Sequence, residues 1–405
     1  MKILLTTIYA YPPRGGLGTY IQELKTGLEK QGHTVDVLAR NNDMYCLTKG
    51  NKQYPLIKRS GGTGLLHSIL PSAWLGNRVY KYMGSIQDEA SKFFDAVKMI
   101  DLKQYQVIHA QDIVSASVLK YYKPVLTPLI LTIHGCVTAE YYYYGFIQPN
   151  SIGWKVISTF ESGAITRTDA VILPSQWLLD VYKKCNIPTN NMSVIKNGID
   201  TEAFQRKMVT TKTGLKSPPG KKVIICTGRL EKVKGQHVLI NALAKLKARR
   251  SDWVCWMVGR GKNERALKKQ VSRLGLNNHV KFLGMRRDVP ALLNQADIFV
   301  IPSLQDNYPY SLVEAYVAGK AIIASQVGGM TEMVQHSRNG LLVPPDDSHA
   351  LYMEMRGLLE NPGKIKALSQ EAKSWGMATF ALEKMTNEVL HIYNNALASK
   401  GVVRR

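Results

Sequence analysis

The stretch DIFVIPSLQDNYPYSLVEAYVAGKAIIAS, residues 297–325, contains a predicted strand, a loop, a helix and a second strand. The first apolar run ends near Ser303, and the second begins near Ala321. The pattern between them becomes helical after Pro309, whose missing N–H has no helical partner to lose in the first turn, and Gly319 suits the helix end. Short apolar strands joined by helices are typical of a parallel sheet covered on both faces.

Both halves of the chain repeat this order of elements without repeating sequence. In the first half, the apolar run KILLTTIYA at residues 2–10 is followed by a glycine-rich turn, an amphipathic helix and the run TVDVLAR. The second half contains KVIICTGRL and WVCWMVGRG, each followed by a helical pattern. These patterns predict an α/β protein with two doubly wound, Rossmann-like domains.

Residues 206–222 separate the two halves, because they are basic, lack periodicity and contain Pro-Pro-Gly, so we predict an interdomain linker there. The N-terminal domain is then expected over residues 1–205 and the C-terminal domain over 223–380. A last helix, over about 380–405, is expected to pack back onto the first domain. Ligands of such sheets bind beyond the carboxyl ends of the strands, so two facing domains would line one cleft.

The chain has 405 residues and a formal net charge of +23. Residues 181–405 carry most of the excess, with 35 Lys and Arg against 17 Asp and Glu. Three anionic partners are consistent with this charge: nucleic acid, lipid headgroups or a small-molecule substrate. A solvated basic face is the alternative, because the runs KLKARR and RGKNERALKKQVSR have helical spacing with apolar residues on the other side.

The cysteines and the apolar runs indicate the compartment. Five cysteines are scattered without a CxxC pair, which is typical of free thiols in a reducing cytoplasm rather than of disulfides or a zinc site. The first apolar run is short and ends in Pro-Pro-Arg, which disfavours a signal peptide. No stretch reaches the roughly 20 apolar residues of a membrane span. We expect a cytoplasmic protein, with peripheral contact at the inner face of the membrane left open.

Asp306 and Glu314 lie eight positions apart, one on the predicted loop and one inside the predicted helix. The first amides of that helix, those of Tyr310 and Ser311, lack helical acceptors and suit phosphate oxygens. A carboxylate on the helix suits the vicinal hydroxyls of a ribose, as the acidic residue of dinucleotide-binding folds does. The spacing therefore fits a sugar nucleotide, with the loop acid at the sugar, the amides at the diphosphate and the helix acid at the ribose.

Three other predicted strand ends carry candidate residues. Gly15 and Gly16 in RGGLGTY would let a ligand approach the backbone, or they form only a tight turn. Arg229 and Lys234 in GRLEKVKG bracket a loop before a helix and suit a diphosphate, or they belong to a solvated loop. His134 in LTIHG is either a functional residue or a buried core histidine.

Taken in order, the segments RGGLGTY, GRLEKVKG, VKFLG, PSLQDNYPYSLVEAYVAGKAIIAS and VGGMTEMV resemble the motifs of the retaining GT-B glycosyltransferases of family 4. The order and spacing of these motifs match over roughly residues 1–395. The resemblance implies two Rossmann-like domains facing across a cleft. It also implies a nucleotide-sugar donor bound by the C-terminal domain and an acceptor bound by the N-terminal domain.

The resemblance further implies residue roles. A pair of glutamates eight apart marks the family's donor site, and Asp306 and Glu314 occupy these positions here. Glu314 is then expected to bind the donor ribose and Asp306 to contact the transferred hexose. His134 is expected to lie near that hexose, so that Asp306 and His134 are the candidate catalytic residues. The donor-binding candidates are Gly15, Gly16, Arg229, Lys234, Asn307, Tyr310, Ser311 and Glu314.

Within that set, Arg229 and Lys234 are expected to hold the diphosphate, while the glycine pair closes on it from the other domain. Three positions depart from the family pattern. Asp306 stands where glutamate is usual, Gln111 where a second histidine is frequent, and Arg260 where an acid is usual. These departures bear on the identity of the donor more than on the reaction.

We expect a hexosyltransferase that moves a hexose or N-acetylhexosamine from a UDP- or GDP-sugar to an acceptor hydroxyl with retention. The product would belong to a glycan, a glycolipid or a cell-surface polysaccharide. No acidic cluster in the sequence suggests a bound metal, so no cofactor is expected beside the nucleotide sugar. The alternatives are a sugar-nucleotide epimerase of the same fold and a basic nucleic-acid-binding protein, although no nucleic-acid recognition motif is present.

Two aromatic segments bear on the partners. The run YYYYGF at residues 141–146 either lines a site for a glycan or lipid-linked acceptor or packs inside the fold. Residues 64–100 hold Trp74, Tyr80 and Tyr82 among basic residues, which indicates either contact with an anionic membrane or ordinary helix packing.

Overall fold

The computed structural model of the protein describes residues 1–12, 15–58 and 77–401. Its internal contacts divide the chain into two compact units. Unit 1 comprises Met1–Lys196 and Met385–Arg405, and unit 2 comprises Asn197–Lys384. The first boundary therefore lies at residue 196, before the predicted position at 205.

Unit 1 is built on one sheet of eight strands. They are β1 (Lys2–Ala10), β2 (Thr34–Asn41), β3 (Met44–Lys49), β4 (Lys52–Lys58), β5 (Val107–Ala110), β6 (Leu129–Thr132), β7 (Ala170–Leu173) and β8 (Met192–Val194). The spatial order is β4-β3-β2-β1-β5-β6-β7-β8. The six strands from β2 to β8 in this order run parallel. The short apolar runs of the sequence predict this parallel part of the sheet.

The other two strands, β3 and β4, depart from the predicted parallel sheet. β3 pairs antiparallel with β2, and β4 pairs antiparallel with β3. Gly50, with a φ of 55°, lies in the short turn between them. A connection this short joins only antiparallel strands, because a parallel crossover needs a dozen or more residues. The sheet of unit 1 is therefore mixed at one side.

Unit 2 is built on one parallel sheet. Its strands are β9 (Lys222–Thr227), β10 (Trp253–Val258), β11 (Val280–Gly284), β12 (Ile298–Ile301), β13 (Ala321–Ser325) and β14 (Leu341–Val343). The spatial order is β11-β10-β9-β12-β13-β14. Along β9, Ile224 and Cys226 face one hydrophobic core, while Val223 and Ile225 face a second one. Both faces of the sheet are thus covered, which confirms the doubly wound arrangement predicted for this half.

Helices connect the strands of both units. Those of unit 1 are α1 (Gly16–Lys30), α2 (Asn77–Lys98), α3 (Ile113–Tyr122), α4 (Val137–Tyr143), α5 (Ile152–Ile165) and α6 (Gln176–Lys184). Those that follow are α7 (Thr201–Thr210), α8 (Gln236–Lys247), α9 (Glu264–Arg273), α10 (Val289–Gln295), α11 (Tyr310–Val317), α12 (Met330–Met333), α13 (Ser348–Glu360), α14 (Pro362–Thr379) and α15 (Leu382–Ser399).

The stretch 206–222, predicted as an interdomain linker, lies wholly within unit 2. Its first residues belong to α7, which begins after Asp200, whose carboxylate accepts a 3.1 Å hydrogen bond from the Ala203 amide. Phe204 on this helix is buried in a core of unit 2. Packing of α7 therefore overrides the lack of periodicity, and the chain passes between the units at residues 196–197 and 384–385.

The last helix, α15, returns to unit 1 from Met385 onward. Tyr393 on this helix is fully buried, and its hydroxyl lies 2.7 Å from Nδ1 of His109. Near the helix end, the Lys400 ammonium lies 2.7 Å from the Asp169 carboxylate. These contacts fix the helix along its length within unit 1.

Of the three aromatic residues considered for membrane contact, Tyr80 on α2 is half-buried and packs against the buried side chains of Val79, Ile147 and Ile157. Trp74 lies outside the described residues. Tyr82 on α2 is half-buried and packs against Tyr141, with ring centroids 4.9 Å apart. Tyr82 therefore takes part in ordinary packing of α2. Within the described ranges, no helix has the length and apolar character needed to cross a membrane.

Gly235 and Gly220 have nearly the same φ angle but different surroundings. Substituting each one therefore separates the free-energy cost of a left-handed backbone from the cost of steric overlap. Gly235 has a φ of 66° and Gly220 a φ of 68°. A β-carbon at Gly235 would lie 1.8 Å from the carbonyl oxygen of Pro302, whereas none of the described atoms lies within 4 Å of one at Gly220. We predict that Gly220→Ala costs about 1–2 kcal/mol, the penalty of the left-handed region. Gly235→Ala should cost a further ~1–3 kcal/mol, because the backbone at Pro302 must shift.

Urea unfolding followed by the fluorescence of Trp253 and Trp256, both fully buried in unit 2, measures this difference. Equal losses in the two variants would contradict the proposed close packing at Gly235.

Candidate functional site

Four loops follow neighbouring strands of unit 2 at one side of the sheet, which we call the unit 2 edge. They are residues 228–235 after β9, 259–261 after β10, 302–309 after β12 and 326–329 after β13. The chain moves outward from β9 to β10 in one direction, and β12 lies on the other side of β9. In open α/β sheets, ligands bind at this reversal of strand order. The loops 228–235 and 302–309 flank it directly.

Glycines allow the backbones of these loops to approach one another. A β-carbon at Gly328 would lie 1.8 Å from the carbonyl oxygen of Asp306, and one at Gly235 would be equally close to that of Pro302. At β10, a β-carbon at Gly259 would lie 1.9 Å from the Gly228 carbonyl oxygen. A backbone hydrogen bond of 2.8 Å from Leu304 to Val233 then ties the β12 loop to the β9 loop. The edge is therefore a compact layer of main chain.

Lys234 and Asp306 meet across this layer. The Lys234 ammonium lies 2.6 Å from Oδ2 of Asp306, and the Ser303 hydroxyl donates a 3.1 Å hydrogen bond to the same oxygen. Both charged side chains are largely shielded from solvent, with 22% and 11% of their side-chain surface exposed. An ammonium has three N–H donors, so Lys234 can hold Asp306 and an anionic ligand together. The sequence predicts contacts of the two residues with separate parts of a donor, and it does not predict this ion pair.

The other predicted cation of the β9 loop, Arg229, is more open. Its side chain is 62% exposed, and its guanidinium lies 3.0 Å from the Glu231 carboxylate. Its carbonyl oxygen accepts a 2.8 Å hydrogen bond from the Gln236 side chain at the start of α8. Arg260, after β10, is also exposed, beside Gly284. The edge thus presents cations at the tips of two adjacent strands.

Helix α11 begins beside Asp306 as the sequence predicted. Pro309 stands at the N-cap position of the helix and makes no side-chain capping hydrogen bond. The Tyr310 side chain is buried, and its hydroxyl donates to the Gly198 carbonyl oxygen at 3.3 Å, which anchors the start of the helix. The main-chain amides of Tyr310 and Ser311 belong to this first turn, where helix geometry supplies no acceptor. Asn307 lies on the loop between Asp306 and the helix.

Glu314 lies on α11 and is half-buried. The structure thus has one carboxylate on the loop before α11 and the other inside the helix, as the spacing predicted. The role of each carboxylate toward a ligand stays a prediction.

In unit 1, Gly15 and Gly16 stand at the start of α1, after β1. Gly15 has a φ of 137°, which favours glycine, and Gly16 is the first helical residue. A β-carbon at either position would meet none of the described atoms within 4 Å. Packing among the described residues therefore gives no steric reason for glycine at position 16.

His134 follows β6, at the same end of the unit 1 sheet. Its ring stands edge-on to the ring of Tyr20 on α1, with centroids 4.9 Å apart and an interplanar angle of 73°. Burial lowers the pKa of His134 to about 4, so the imidazole is neutral near pH 7. His109, on β5, is fully buried inside the unit.

Glu161 is a residue of this region that the sequence analysis missed. It is fully buried on α5, and its carboxylate accepts hydrogen bonds of 2.8 Å and 2.9 Å from the amides of Val137 and Thr138 at the start of α4. It also accepts a 3.0 Å bond from the Tyr182 hydroxyl. Burial raises the pKa of Glu161, and these hydrogen bonds oppose the increase. Glu161 thereby fixes the segment directly after His134. An acid within an apolar helical pattern was the available sequence signal.

Among residues 1–12, 15–58 and 77–401, no group of three or more His, Cys, Asp or Glu side chains is arranged to hold a metal ion.

Family models match both units of the chain. The family described as Glycosyl transferases group 1 matches residues 210–375, and Glycosyltransferase Family 4 matches residues 14–203. The chain is 25% identical over 414 residues to the uncharacterized glycosyltransferase MJ1607 of Methanocaldococcus jannaschii. That alignment covers 99% of this chain and 100% of the relative.

Two solved structures share the fold across nearly the whole chain. Sucrose-phosphate synthase from Thermosynechococcus elongatus superposes with a TM-score of 0.77 at 20% identity, over 98% of this chain and 99% of that one. HepE of Anabaena in complex with UDP-glucose superposes with a TM-score of 0.69 at 20% identity, over 98% of this chain and 100% of that one. Because two family models match residues 14–203 and 210–375, and because the chain has the two-domain GT-B fold, it belongs to the group 1, family 4 glycosyltransferases.

Proposed function

We propose that this protein is a retaining hexosyltransferase that moves a hexose or N-acetylhexosamine from a UDP- or GDP-sugar to an acceptor hydroxyl. The observation that carries the proposal is the Lys234–Asp306 pair at the point of strand reversal in unit 2. It places a shielded cation and an acid beside the first turn of α11, where helix geometry supplies no acceptor for the main-chain amides. An anionic diphosphate with an attached polyol fits that combination.

The donor roles follow from the position of each residue along α11 and its loop. Arg229 and Lys234 would hold the diphosphate, with the main-chain amides of Tyr310 and Ser311 beside them. Asn307 would also contact the donor. The HepE structure, which holds UDP-glucose, supports a donor of this class because it shares the fold. That the nucleotide is UDP or GDP, and that the sugar is a hexose or N-acetylhexosamine, belongs to the proposal.

The two carboxylates would bind different parts of the donor. Glu314 would accept hydrogen bonds from the ribose, which does not react. Asp306 would contact the transferred sugar, together with His134 from unit 1. None of the described atoms lies within 4 Å of a β-carbon placed at Gly15 or Gly16, so that space is open to a ligand. The two glycines would close on the diphosphate there.

The chemistry would be mainly electrostatic. The diphosphate gains negative charge as the glycosidic bond breaks, and donors already fixed around it stabilise that charge without reorganising. Lys234 is fixed by its ion pair, and the α11 amides are fixed by the helix. We propose that these groups act without a metal ion.

The acceptor is proposed to be a glycan or a lipid-linked sugar. Tyr142, Tyr143 and Tyr144 lie at the end of α4, the helix that follows His134, and between 42% and 54% of each residue is exposed. Exposed rings on the helix that follows a candidate catalytic residue suit stacking on sugar faces. An epimerase of the same fold would not need such a surface, and it would act on the nucleotide sugar in the absence of an acceptor.

Peripheral contact with an anionic membrane also belongs to the proposal. Val125 and Leu126 lie on the loop between α3 and β6, and they are 84% and 61% exposed. Two cations flank Tyr121 on the same surface: the Lys120 ammonium lies 4.7 Å from its ring centroid, and Arg167 donates to its hydroxyl at 2.9 Å. An apolar loop tip beside cations suits an interface of lipid tails and anionic headgroups.

Nucleotide binding tests the function. A panel of UDP- and GDP-sugars screened by thermal shift should identify a donor, which the protein should transfer to an acceptor or slowly hydrolyse. Arg229→Ala and Lys234→Ala should each weaken the affinity for the free nucleotide, because a hydrogen bond to a charged group contributes about 1.5–3 kcal/mol. Calorimetric titration with UDP and GDP measures this loss.

Arg250→Ala is the matched control. Arg250 pairs with Asp252 two positions on, as Arg229 pairs with Glu231, but it lies before β10, at the opposite end of the strand. Unchanged nucleotide affinity in both Arg229→Ala and Lys234→Ala would refute the diphosphate assignment.

Steady-state kinetics separates the two carboxylates. Asp306→Asn should lower kcat about 100-fold or more, because it removes charge beside the reacting centre, while affinity for the nucleotide falls less than in Lys234→Ala, since the Asn amide oxygen can still accept a hydrogen bond from Lys234. Glu314→Gln should mainly raise KM for the donor, since it weakens binding to a part that does not react. Asp306→Glu restores the usual family residue and should retain more activity than Asp306→Asn. The reverse pattern, with kcat lost only in Glu314→Gln, would show that the donor lies the other way along α11.

Vesicle sedimentation tests the membrane contact. The protein should bind vesicles that contain phosphatidylglycerol more strongly than pure phosphatidylcholine vesicles, and the double substitution Val125→Asp with Leu126→Asp should abolish the difference. Val209→Asp is the control, because Val209 is 76% exposed but lies in unit 2. Equal binding by the double variant and the control would exclude this loop as the contact. Capture by an acidic protein without vesicle binding would point instead to a protein partner.

A further inference from the structure

A chain of buried polar side chains crosses unit 1 from α15 to the neighbourhood of His134. The Tyr393 hydroxyl lies 2.7 Å from Nδ1 of His109, and Nε2 of His109 lies 2.7 Å from the Thr132 hydroxyl. The Thr132 hydroxyl in turn lies 3.2 Å from the Tyr20 hydroxyl. All four residues are at most 1% exposed. The proposed donor contacts use none of these four residues.

Because His109 is neutral, its two hydrogen bonds must run in the same direction along the chain. Burial lowers the pKa of His109 to about 3, so its imidazole is neutral and carries one N–H donor and one acceptor nitrogen. If Tyr393 donates to Nδ1, then Nε2 donates to Thr132; if Nδ1 donates to Tyr393, then Thr132 donates to Nε2. Each arrangement uses both ring nitrogens. Removing one hydroxyl therefore leaves a buried group unsatisfied and changes the preference for the tautomer.

Tyr20 connects this chain to the candidate catalytic residue. Its hydroxyl is fixed by Thr132 at the end of β6, and its ring stands edge-on to His134, two residues farther along the chain. Tyr20 also lies on α1, the helix that begins at Gly16. The Tyr20 side chain thus links three parts of unit 1: the helix that follows the glycine turn, the end of β6 and the His134 ring.

We propose that Tyr20 is a positioning residue that orients the His134 ring, and that Tyr393 on the last helix supports it through His109 and Thr132. The proposal rests on the proposed function, in which His134 faces the transferred sugar. It gives α15 a role in turnover in addition to its packing within unit 1.

The physical reason is that a half-buried imidazole acts on a reacting group only in one orientation. Tyr20→Phe keeps the aromatic ring of residue 20 against His134. It removes the hydrogen bond to Thr132 that fixes the position of that ring relative to β6. Tyr393→Phe removes the far end of the chain and leaves Tyr20 itself intact. An effect of the second substitution on turnover would therefore have to pass through His109 and Thr132.

The kinetic test compares Tyr20→Phe, Tyr393→Phe and the double variant with Tyr105→Phe. Tyr105 is a matched control: it is 1% exposed in unit 1, its hydroxyl donates to Asp36 at 2.7 Å, and it precedes β5 at the opposite end of the sheet. We expect Tyr20→Phe and Tyr393→Phe to lower kcat about tenfold, the value of one hydrogen bond, with little change in donor KM. The double variant should lose no more than either single variant, because both break one chain.

The control should lose stability without losing kcat. A spectroscopic readout is independent of turnover: in ¹⁵N-histidine-labelled protein, the His134 ring resonances should shift in Tyr393→Phe and remain unchanged in Tyr105→Phe. Loss of stability alone, as in a purely structural role, would not produce this pattern.

Two outcomes would overturn the positioning role of Tyr20 and Tyr393, and they differ in whether the catalytic assignment of His134 survives. If His134→Ala loses activity while Tyr20→Phe and Tyr393→Phe match the control in kcat and in the His134 resonances, the chain is only structural and the proposed function stands. If His134→Ala keeps full kcat, the catalytic assignment of His134 fails, and the positioning role fails with it.

Discussion

The ion pair between Lys234 and Asp306 joins the two loops that flank the reversal of strand order in unit 2, and the rest of that edge depends on it. Around this 2.6 Å contact, the loops after β9 and β12 approach closely enough for the Leu304 amide to donate to the Val233 carbonyl oxygen at 2.8 Å. A side chain at Gly235 would push the β9 loop away from the β12 loop, and one at Gly328 would push the β13 loop away from it, because each β-carbon would overlap a backbone oxygen of the β12 loop. The ion pair, the two glycines and the start of α11 therefore form one structural unit.

The same pair explains how a cation is kept at this edge before any ligand binds. A largely shielded ammonium is costly unless it is paired, and Asp306 supplies the compensating charge. An incoming diphosphate then meets a cation whose position is already fixed, so less side-chain entropy is lost on binding. Arg229 has the opposite character, since it is exposed and paired only with a neighbour in sequence.

Unit 1 uses buried carboxylates rather than close glycine contacts to fix the corresponding edge. Asp112 accepts hydrogen bonds from the amides of Ile8 and Ser115, and so joins the end of β1 to the start of α3. Glu161 does the same for the start of α4. Both acids lie beside segments that carry candidate residues, and each accepts hydrogen bonds from two main-chain amides. His134 is held neutral nearby, so under the proposed function the positive charge for the leaving diphosphate comes from unit 2.

The sequence alone was sufficient to predict the parallel strands, the two sheets and the position of α11. Apolar runs, Pro309 and Gly319 are local signals that act within a few residues. It was also sufficient for the family, since five motifs in order are specific even where each is weak. The antiparallel hairpin of β3 and β4 and the helix within 206–222 were missed, because a short polar turn and the packing of Phe204 override weak periodicity. Only the tertiary structure decided that Lys234 pairs with Asp306, that Glu161 caps α4, and that Tyr393 reaches His109. These partners are 72, 24 and 284 positions apart in the chain, and no local pattern specifies a contact made by folding alone.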